Sequence, residues 1–204
     1  MSLKTKFFGN TRKPRGLFGI YMVNRMNGGH HAVLAEWALK DFEIDGDGSA
    51  LDIGCGGGAN IARLLERCRQ VTGVDYSSVA VSKARKFNWK AIAQGRCDVV
   101  EGNVAALPFE DASFDLVTAF ETVYFWPDIE NSYREVRRVL KTGGRFVIVN
   151  ELDGERDDKK WETIIDGMRA YTPAEIESGL RAAGFSSVSI TRDDRHFVRV
   201  VAVK

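Results

Sequence analysis

No apolar run in this chain approaches the roughly 20 residues that a membrane span requires. The first residues also lack the apolar core of a signal peptide. A cytoplasmic protein without a membrane span is the expectation. Neither sign of charge prevails, because 29 lysines and arginines stand against 28 aspartates and glutamates, a net charge of +1. That balance gives nucleic acid or an anionic membrane nothing global to hold. Cysteine is scarce. Cys55, Cys68 and Cys97 form an odd set without metal-ligand spacing, which argues against a disulfide framework and suits a reducing compartment. Three histidines, two of them adjacent, do not compose a zinc site, so no metal is expected. There is no internal repeat and no low-complexity segment.

What is present fits one domain. At 204 residues the chain can bury a substantial core but is short for two domains. The basic start, "KTKFFGNTRKPR", reads as a solvated tail, with Phe7 and Phe8 leaving a flap for an acidic partner as the alternative. From Leu17 to Phe42 the pattern is helical. Val33, Leu34, Trp37 and Ala38 share a face, and Asn27-Gly28-Gly29 marks a break. Residues 1–46 are therefore expected to form a tail and helical cap, and 47–204 the main domain.

Beyond the turn "DGDGS", apolar runs alternate with helical patterns. The runs are Ala50–Ile53, Val71–Val74, Asp98–Val100, Phe114–Phe120 and Phe146–Val149. Helical periodicity covers Ala59–Cys68, Ser78–Ala93 and Ile129–Leu140. Such alternation implies right-handed crossovers and a parallel sheet covered on both faces. The end differs: after a helix over Pro173–Ala183, "SSVSITRD" and "RHFVRVVAVK" flank a short polar turn and must pair antiparallel. The expected fold is α/β, Rossmann-like and doubly wound, with seven mostly parallel strands, a C-terminal antiparallel hairpin and an N-terminal helical cap.

The stretch "ALDIGCGGGAN" sends the first strand into a loop of glycines. Gly54, Gly56 and Gly58 allow a sharp turn and let a ligand lie on bare backbone, before a helix whose N–H groups favour an anionic group. Gly54, Gly56 and Ala59 also satisfy the dinucleotide fingerprint. Asp75 closes "VTGVD", where its carboxylate can accept from both hydroxyls of an adenosine ribose, or simply cap the helix that begins at "DYSS". NAD and S-adenosylmethionine both carry that ribose. Three features separate them: Asp52 before the first glycine, the segments "EGNVAALPFEDASFDLVTAF" and "REVRRVLKTGGRFVIVNE", and the terminal hairpin.

With these motifs the sequence resembles class I S-adenosylmethionine-dependent methyltransferases of the small, ubiquinone-biosynthesis-like kind, the methyltransferase type 11 group. The resemblance runs from about Ser49 to Lys204 and is densest over Ala50–Glu151. It implies S-adenosyl-L-methionine as methyl donor and S-adenosyl-L-homocysteine as product. It places Gly54, Cys55, Gly56 and Gly58 around the methionine part of the cofactor, with Asp52 supporting the loop or the cofactor's amine. By the same resemblance Asp75 holds the ribose hydroxyls, Tyr76 packs on the adenine face, Val104 offers its backbone N–H to the ring, and the Phe120 carbonyl receives the ammonium. Asn103 stands where the family usually has Asp; its side-chain oxygen still accepts from the adenine amine but carries no charge.

Methyl transfer from a sulfonium is an in-line displacement in which the cofactor supplies the electrophile. Alignment in well-oriented systems supplies on the order of 7–11 kcal/mol. A general base is needed only for a poor nucleophile. Acceptor-side candidates are Tyr21, Asn27, His30 and His31 in the cap. Glu121, Thr122, Tyr124 and Trp126 follow the fourth strand, and Trp161, Met168 and Tyr171 could form an apolar lid. His30, at a helix start and titrating in the useful range, is the candidate base. Asp115 reads as a strand-start residue, His196 as a surface residue.

No Asn-Pro-Pro-Tyr or Asp-Pro-Pro-Tyr follows the fourth strand, which disfavours amino groups of bases or glutamine as acceptors. No RNA platform or separate target domain is present. The expected partner is a small-molecule methyl acceptor bound by a monomer or homodimer, without nucleic acid. The alternatives are a non-catalytic S-adenosylmethionine-binding protein and an NAD-dependent oxidoreductase.

Overall fold

The computed structural model describes residues 28–40, 47–155 and 158–204, together with Gly16, Gly19 and Tyr21. Phe7, Phe8, Asn27 and most of the proposed tail lie outside the described residues.

Seven strands form one sheet. They are β1 (Ser49–Ile53), β2 (Gln70–Asp75), β3 (Cys97–Glu101), β4 (Phe114–Phe120), β5 (Leu140–Asn150), β6 (Ser187–Arg192) and β7 (Val198–Val203). Their order is β3-β2-β1-β4-β5-β7-β6, parallel through β5 and antiparallel for β7 and β6. The parallel sheet and terminal hairpin agree with the sequence expectation. Because β1 pairs with both β2 and β4, the connections leave it in opposite directions. In an open α/β sheet that switch point puts the ligand crevice outside the carboxyl ends of β1 and β4.

Side chains alternate across each strand, so a sheet covered on both faces supports two cores. Leu51, Ile53, Val117, Phe146 and Ile148 bury one face. Against it lie Tyr133 and Val136 of one helix (Ile129–Val139) and Ile176 and Leu180 of another (Pro173–Ala182). Ala50, Leu116, Val147 and Val149 bury the other face, against Leu34, Ala38, Ile61, Leu64, Val81 and Ala84. These come from α1 (His30–Lys40), α2 (Ala59–Leu65) and α3 (Ser78–Phe87). Two further α-helices among the described residues are α4 (Trp89–Ala93) and α6 (Lys159–Ile164), so the two named by range above are α5 and α7. Helix α7 starts with a full capping box between Thr172 and Glu175, and Pro173 occupies its first turn, where no N–H is needed.

Four sequence expectations change. The buried face of α1 is Leu34, Ala35, Ala38 and Leu39, while Val33 is 42% exposed, so the stripe is rotated from the one expected. Helix α2 ends at Leu65 rather than Cys68, because the Arg67 and Cys68 N–H groups both turn back to the Leu64 carbonyl. The segment Ser78–Ala93 is two helices. Buried Asn88 breaks it, adopting a non-helical backbone while its side-chain Nδ2 donates to the Ala84 carbonyl at 3.1 Å. Finally, β5 begins at Leu140, not Phe146. Leu140 pairs with Phe114 and Arg145 with Leu116, so "KTGG" forms a bulge within the strand, with Gly143 at a φ of 76°. Among the described residues no helix is long and apolar enough to cross a membrane, and no group of three or more His, Cys, Asp or Glu could hold a metal. The three cysteines are buried and none is in a disulfide.

Candidate active site

The loop between β1 and α2 is tied to the end of β2. The Val74 carbonyl accepts from the N–H of Gly54 at 2.8 Å and of Cys55 at 3.1 Å. Gly54, Gly56 and Gly58 all have positive φ, at 70°, 53° and 82°, a region that L side chains rarely adopt. Their bareness serves different ends. A Cβ on Gly54 would lie 2.4 Å from Thr122 Cγ2, and one on Gly58 would lie 2.9 Å from the Ala84 backbone. A Cβ on Gly56 would meet nothing within 4 Å. Gly54 and Gly58 are therefore required by packing, whereas Gly56 offers bare backbone to open space. Asn88 Nδ2 also donates to the Gly58 carbonyl at 3.0 Å, pinning the loop to α3. The Cys55 side chain turns inward, with its Sγ 2.9 Å from where a Gly73 Cβ would stand.

Asp75 ends β2 almost fully buried. Its Oδ2 accepts the Gly56 N–H at 3.0 Å and its Oδ1 the Ser77 N–H at 2.9 Å. The carboxylate thus braces the open Gly56. Helix α3 is capped instead by Ser77, whose hydroxyl accepts from Ala80.

Asp52 lies within β1, 2% exposed, accepting the Thr118 hydroxyl at 2.8 Å across to β4. Burial pushes its carboxyl up to about 7; the Thr118 bond opposes that rise and the nearby Asp75 charge adds to it. The folded carboxyl therefore binds its proton more tightly than the unfolded one, whose ordinary value is near 3.8. Its contribution to stability is complete below about pH 4 and is lost as pH rises through about 7. Asp52→Asn keeps the shape and abolishes this ionisation. Thermal unfolding should show the variant gaining on the wild type by several degrees at pH 8 and little at pH 4. An equal difference at both values would contradict the buried, titrating carboxyl.

The other residues assigned to the cofactor line the strand ends. Tyr76 is half-buried after Asp75. Asn103 is exposed after β3, and its Oδ1 already accepts the Ala105 N–H at 3.0 Å. Val104 is buried beside it, and Phe120 closes β4, 8% exposed.

After β4 the chain makes a strained turn. Glu121 has φ of +60°. Its Oε1 accepts the Glu151 N–H and, at 3.0 Å, the Tyr124 hydroxyl. Tyr124 in turn accepts from the Leu152 N–H at 2.9 Å and packs with Met168 and Ile165. His30, first residue of α1, brings Nε2 to 3.2 Å from Glu151 Oε1 and is 57% exposed. The structure thus brings Glu121, Tyr124, Met168 and His30 to one side of the crevice. His31 is half-buried, and burial, then the neighbouring His30, lowers its pKa. Trp126 does not join the group; it stacks on Phe146 at 5.9 Å within the main core. Tyr171 likewise leaves the expected lid and packs on that core, whereas Trp161 stays with Met168. Tyr21 is 55% exposed. Asp115 is structural as expected, accepting from Ser49 and Lys141. His196 is at the surface, 3.8 Å from Asp153.

Residues 51–148 match the methyltransferase domain family. The chain carries a methyltransferase domain. Over 166 residues, 75% of its length, it is 31% identical to 24-methylenesterol C-methyltransferase 2 of Arabidopsis thaliana. Over 147 residues, 68% of its length, it is 33% identical to 27-O-demethylrifamycin SV methyltransferase of Amycolatopsis mediterranei. The chain spans only 45% and 54% of the lengths of these two relatives. A solved structure of a SAM-dependent methyltransferase from Aquifex aeolicus shares the fold, with a TM-score of 0.75 at 20% identity, covering 90% of this chain and 97% of that one.

Sequence reasoning missed several residues of the methyltransferase domain and its flank. Asn88 and Thr118 carry no local signal, because their partners Gly58 and Asp52 come from other strands and helices. Glu151 was legible in principle, since it directly follows the apolar run of β5, where ligands of such sheets lie. Asn150, 1% exposed with neither amide atom bonded, ends that same strand.

Proposed function

We propose that this chain is an S-adenosylmethionine-dependent methyltransferase acting on a small-molecule acceptor. The observation that carries the reading is Gly56: bare backbone facing open space at the switch point, braced by the buried Asp75 carboxylate. Bare backbone facing open space, beside a carboxylate able to accept from hydroxyls, fits the methionine part and ribose of this cofactor. When bound, the cofactor supplies a methyl group on a positively charged sulfur that leaves as a neutral thioether.

The protein's own residues hold and orient. Gly56 and the loop around it receive the methionine part, and Asp75 the ribose hydroxyls. Tyr76 covers the adenine face, and the Phe120 carbonyl takes the ammonium. Asn103 has committed Oδ1 to Ala105, so the backbone N–H of Val104 takes the larger share of adenine recognition. Tyr124, Met168 and Trp161 keep water from the acceptor side, with His30 and Glu151 as its acid–base groups. The two relatives are named for methylation at carbon and at oxygen, so the acceptor atom follows from this chain's own pocket and not from its family.

Calorimetric titration tests the reading. Heat is expected with S-adenosylmethionine and none with NAD. The reverse result, or no heat with S-adenosylmethionine, overturns it.

A further inference from the structure

Glu121 is placed by the fold at some expense. A left-handed backbone strains any residue with a Cβ, and such strain persists where the surroundings impose it. Here Thr122 imposes it: its side chain packs into the space left by Gly54, and its hydroxyl donates to the Ile53 carbonyl at 3.3 Å. The turn after β4 is therefore built against the glycine loop, across β1 from Asp75. Both hydrogen bonds to the Glu121 carboxyl fall on Oε1, from the Glu151 N–H and the Tyr124 hydroxyl. Oε2 has no protein partner among the described residues.

We propose that Glu121 takes the acceptor's proton, and that it becomes a carboxylate only when the cationic methyl donor occupies the crevice. This rests on the cofactor reading above. As the acceptor's lone pair bonds to the methyl carbon, the carbon–sulfur pair returns to sulfur and the acceptor's proton passes to Glu121 Oε2. His30, more than half exposed, then stands where protons exchange with solvent.

The groups facing Glu121 explain the gating. Among the described residues they are Tyr124 on its own turn, Glu151 after β5, Asp158 before α6 and, beyond Glu151, His30 of α1. Burial pushes the Glu121 carboxyl up to about 8; the Glu151 N–H and Tyr124 bonds oppose that rise, and the Glu151 and Asp158 charges add to it. At pH 7 the free protein therefore holds Glu121 protonated and unable to act as a base. Of the facing groups only His30 can be cationic, and it lies against Glu151. A positive charge within about 4–6 Å lowers a carboxyl's pKa by about 1–3. A fall of about 2 releases about 0.8 proton at pH 7.

Calorimetry at pH 7 in two buffers of different ionisation enthalpy counts that proton without any acceptor. Wild type should release about 0.8 proton more than Glu121→Gln on binding S-adenosylmethionine. S-adenosylhomocysteine, which has the ammonium but a neutral sulfur, should give a smaller difference. Asp52 titrates near 7 in both proteins and cancels. Equal release from wild type and variant, or equal release with the two ligands, overturns the proposal while leaving the cofactor reading intact. No heat with S-adenosylmethionine overturns the cofactor reading itself. Should Glu121→Gln fail to fold, carbon-13 spectra of wild type labelled at glutamate carboxyls decide. One resonance titrating near 8 must move below 7 with S-adenosylmethionine; an unmoved midpoint overturns the proposal.

Discussion

Gly58→Ala should destabilise the protein by about 3 kcal/mol, summing roughly 1–2 for a left-handed backbone and 1–3 for forced overpacking. The new methyl would lie 2.9 Å from Ala84 Cα, which is helix backbone, and 2.5 Å from Asn88 Nδ2. Ala84 cannot withdraw alone, because it is fully buried against the sheet and its carbonyl holds both the Asn88 N–H and its Nδ2. Gly56→Ala is the matched control. Its φ is equally left-handed, but nothing stands within 4 Å of the added carbon, so only about 1–2 kcal/mol of strain is expected. Urea unfolding of both variants separates the two terms. The order should invert for ligand binding, where the Gly56→Ala methyl projects into the open space the ligand would occupy. If Gly58→Ala unfolds within about 1 kcal/mol of Gly56→Ala, the contact with α3 is soft and the packing explanation fails.

Asp75→Ala is expected to weaken S-adenosylmethionine binding about 100-fold or more. Hydrogen bonds to a charged group contribute about 1.5–3 kcal/mol each, and every 1.4 kcal/mol is tenfold in affinity. Two ribose hydroxyls would lose their acceptor, and the Gly56 N–H would lose its brace. The second loss distinguishes Asp75 from a simple contact residue, since the loop backbone is freed where it should be preorganised. Asp75→Asn, which keeps one acceptor oxygen, should fall between wild type and Ala. Calorimetric dissociation constants for the three proteins provide the check, with urea midpoints run alongside. Unchanged affinity in Asp75→Ala would move the ribose elsewhere.

Much of this protein is legible locally. Alternating apolar runs and helical periods specify β1–β5 and the intervening helices, because which face a residue presents repeats every two or 3.6 positions along the chain. The close spacing of β6 and β7 specifies their antiparallel pairing. Glycines after β1 and an aspartate closing β2 announce a ligand at the strand ends. Break points were harder to read. Asn88 ends a helix through bonds to Ala84 and to a loop far upstream, and "KTGG" is a bulge between two stretches of β5 that pair with β4.

The order of strands and helices, the glycine loop and the acidic residues flanking it were determined by the sequence alone. Only the tertiary structure decided what each of them does. It made Gly54 and Gly58 packing glycines and left Gly56 open, because Thr122 and Ala84 arrive from distant segments. It took Trp126 into the core and set Glu121 among Tyr124, Glu151 and Asp158. Periodicity is a local property of the chain. Burial, steric contact and the charge around a carboxyl are sums over whatever the fold brings near.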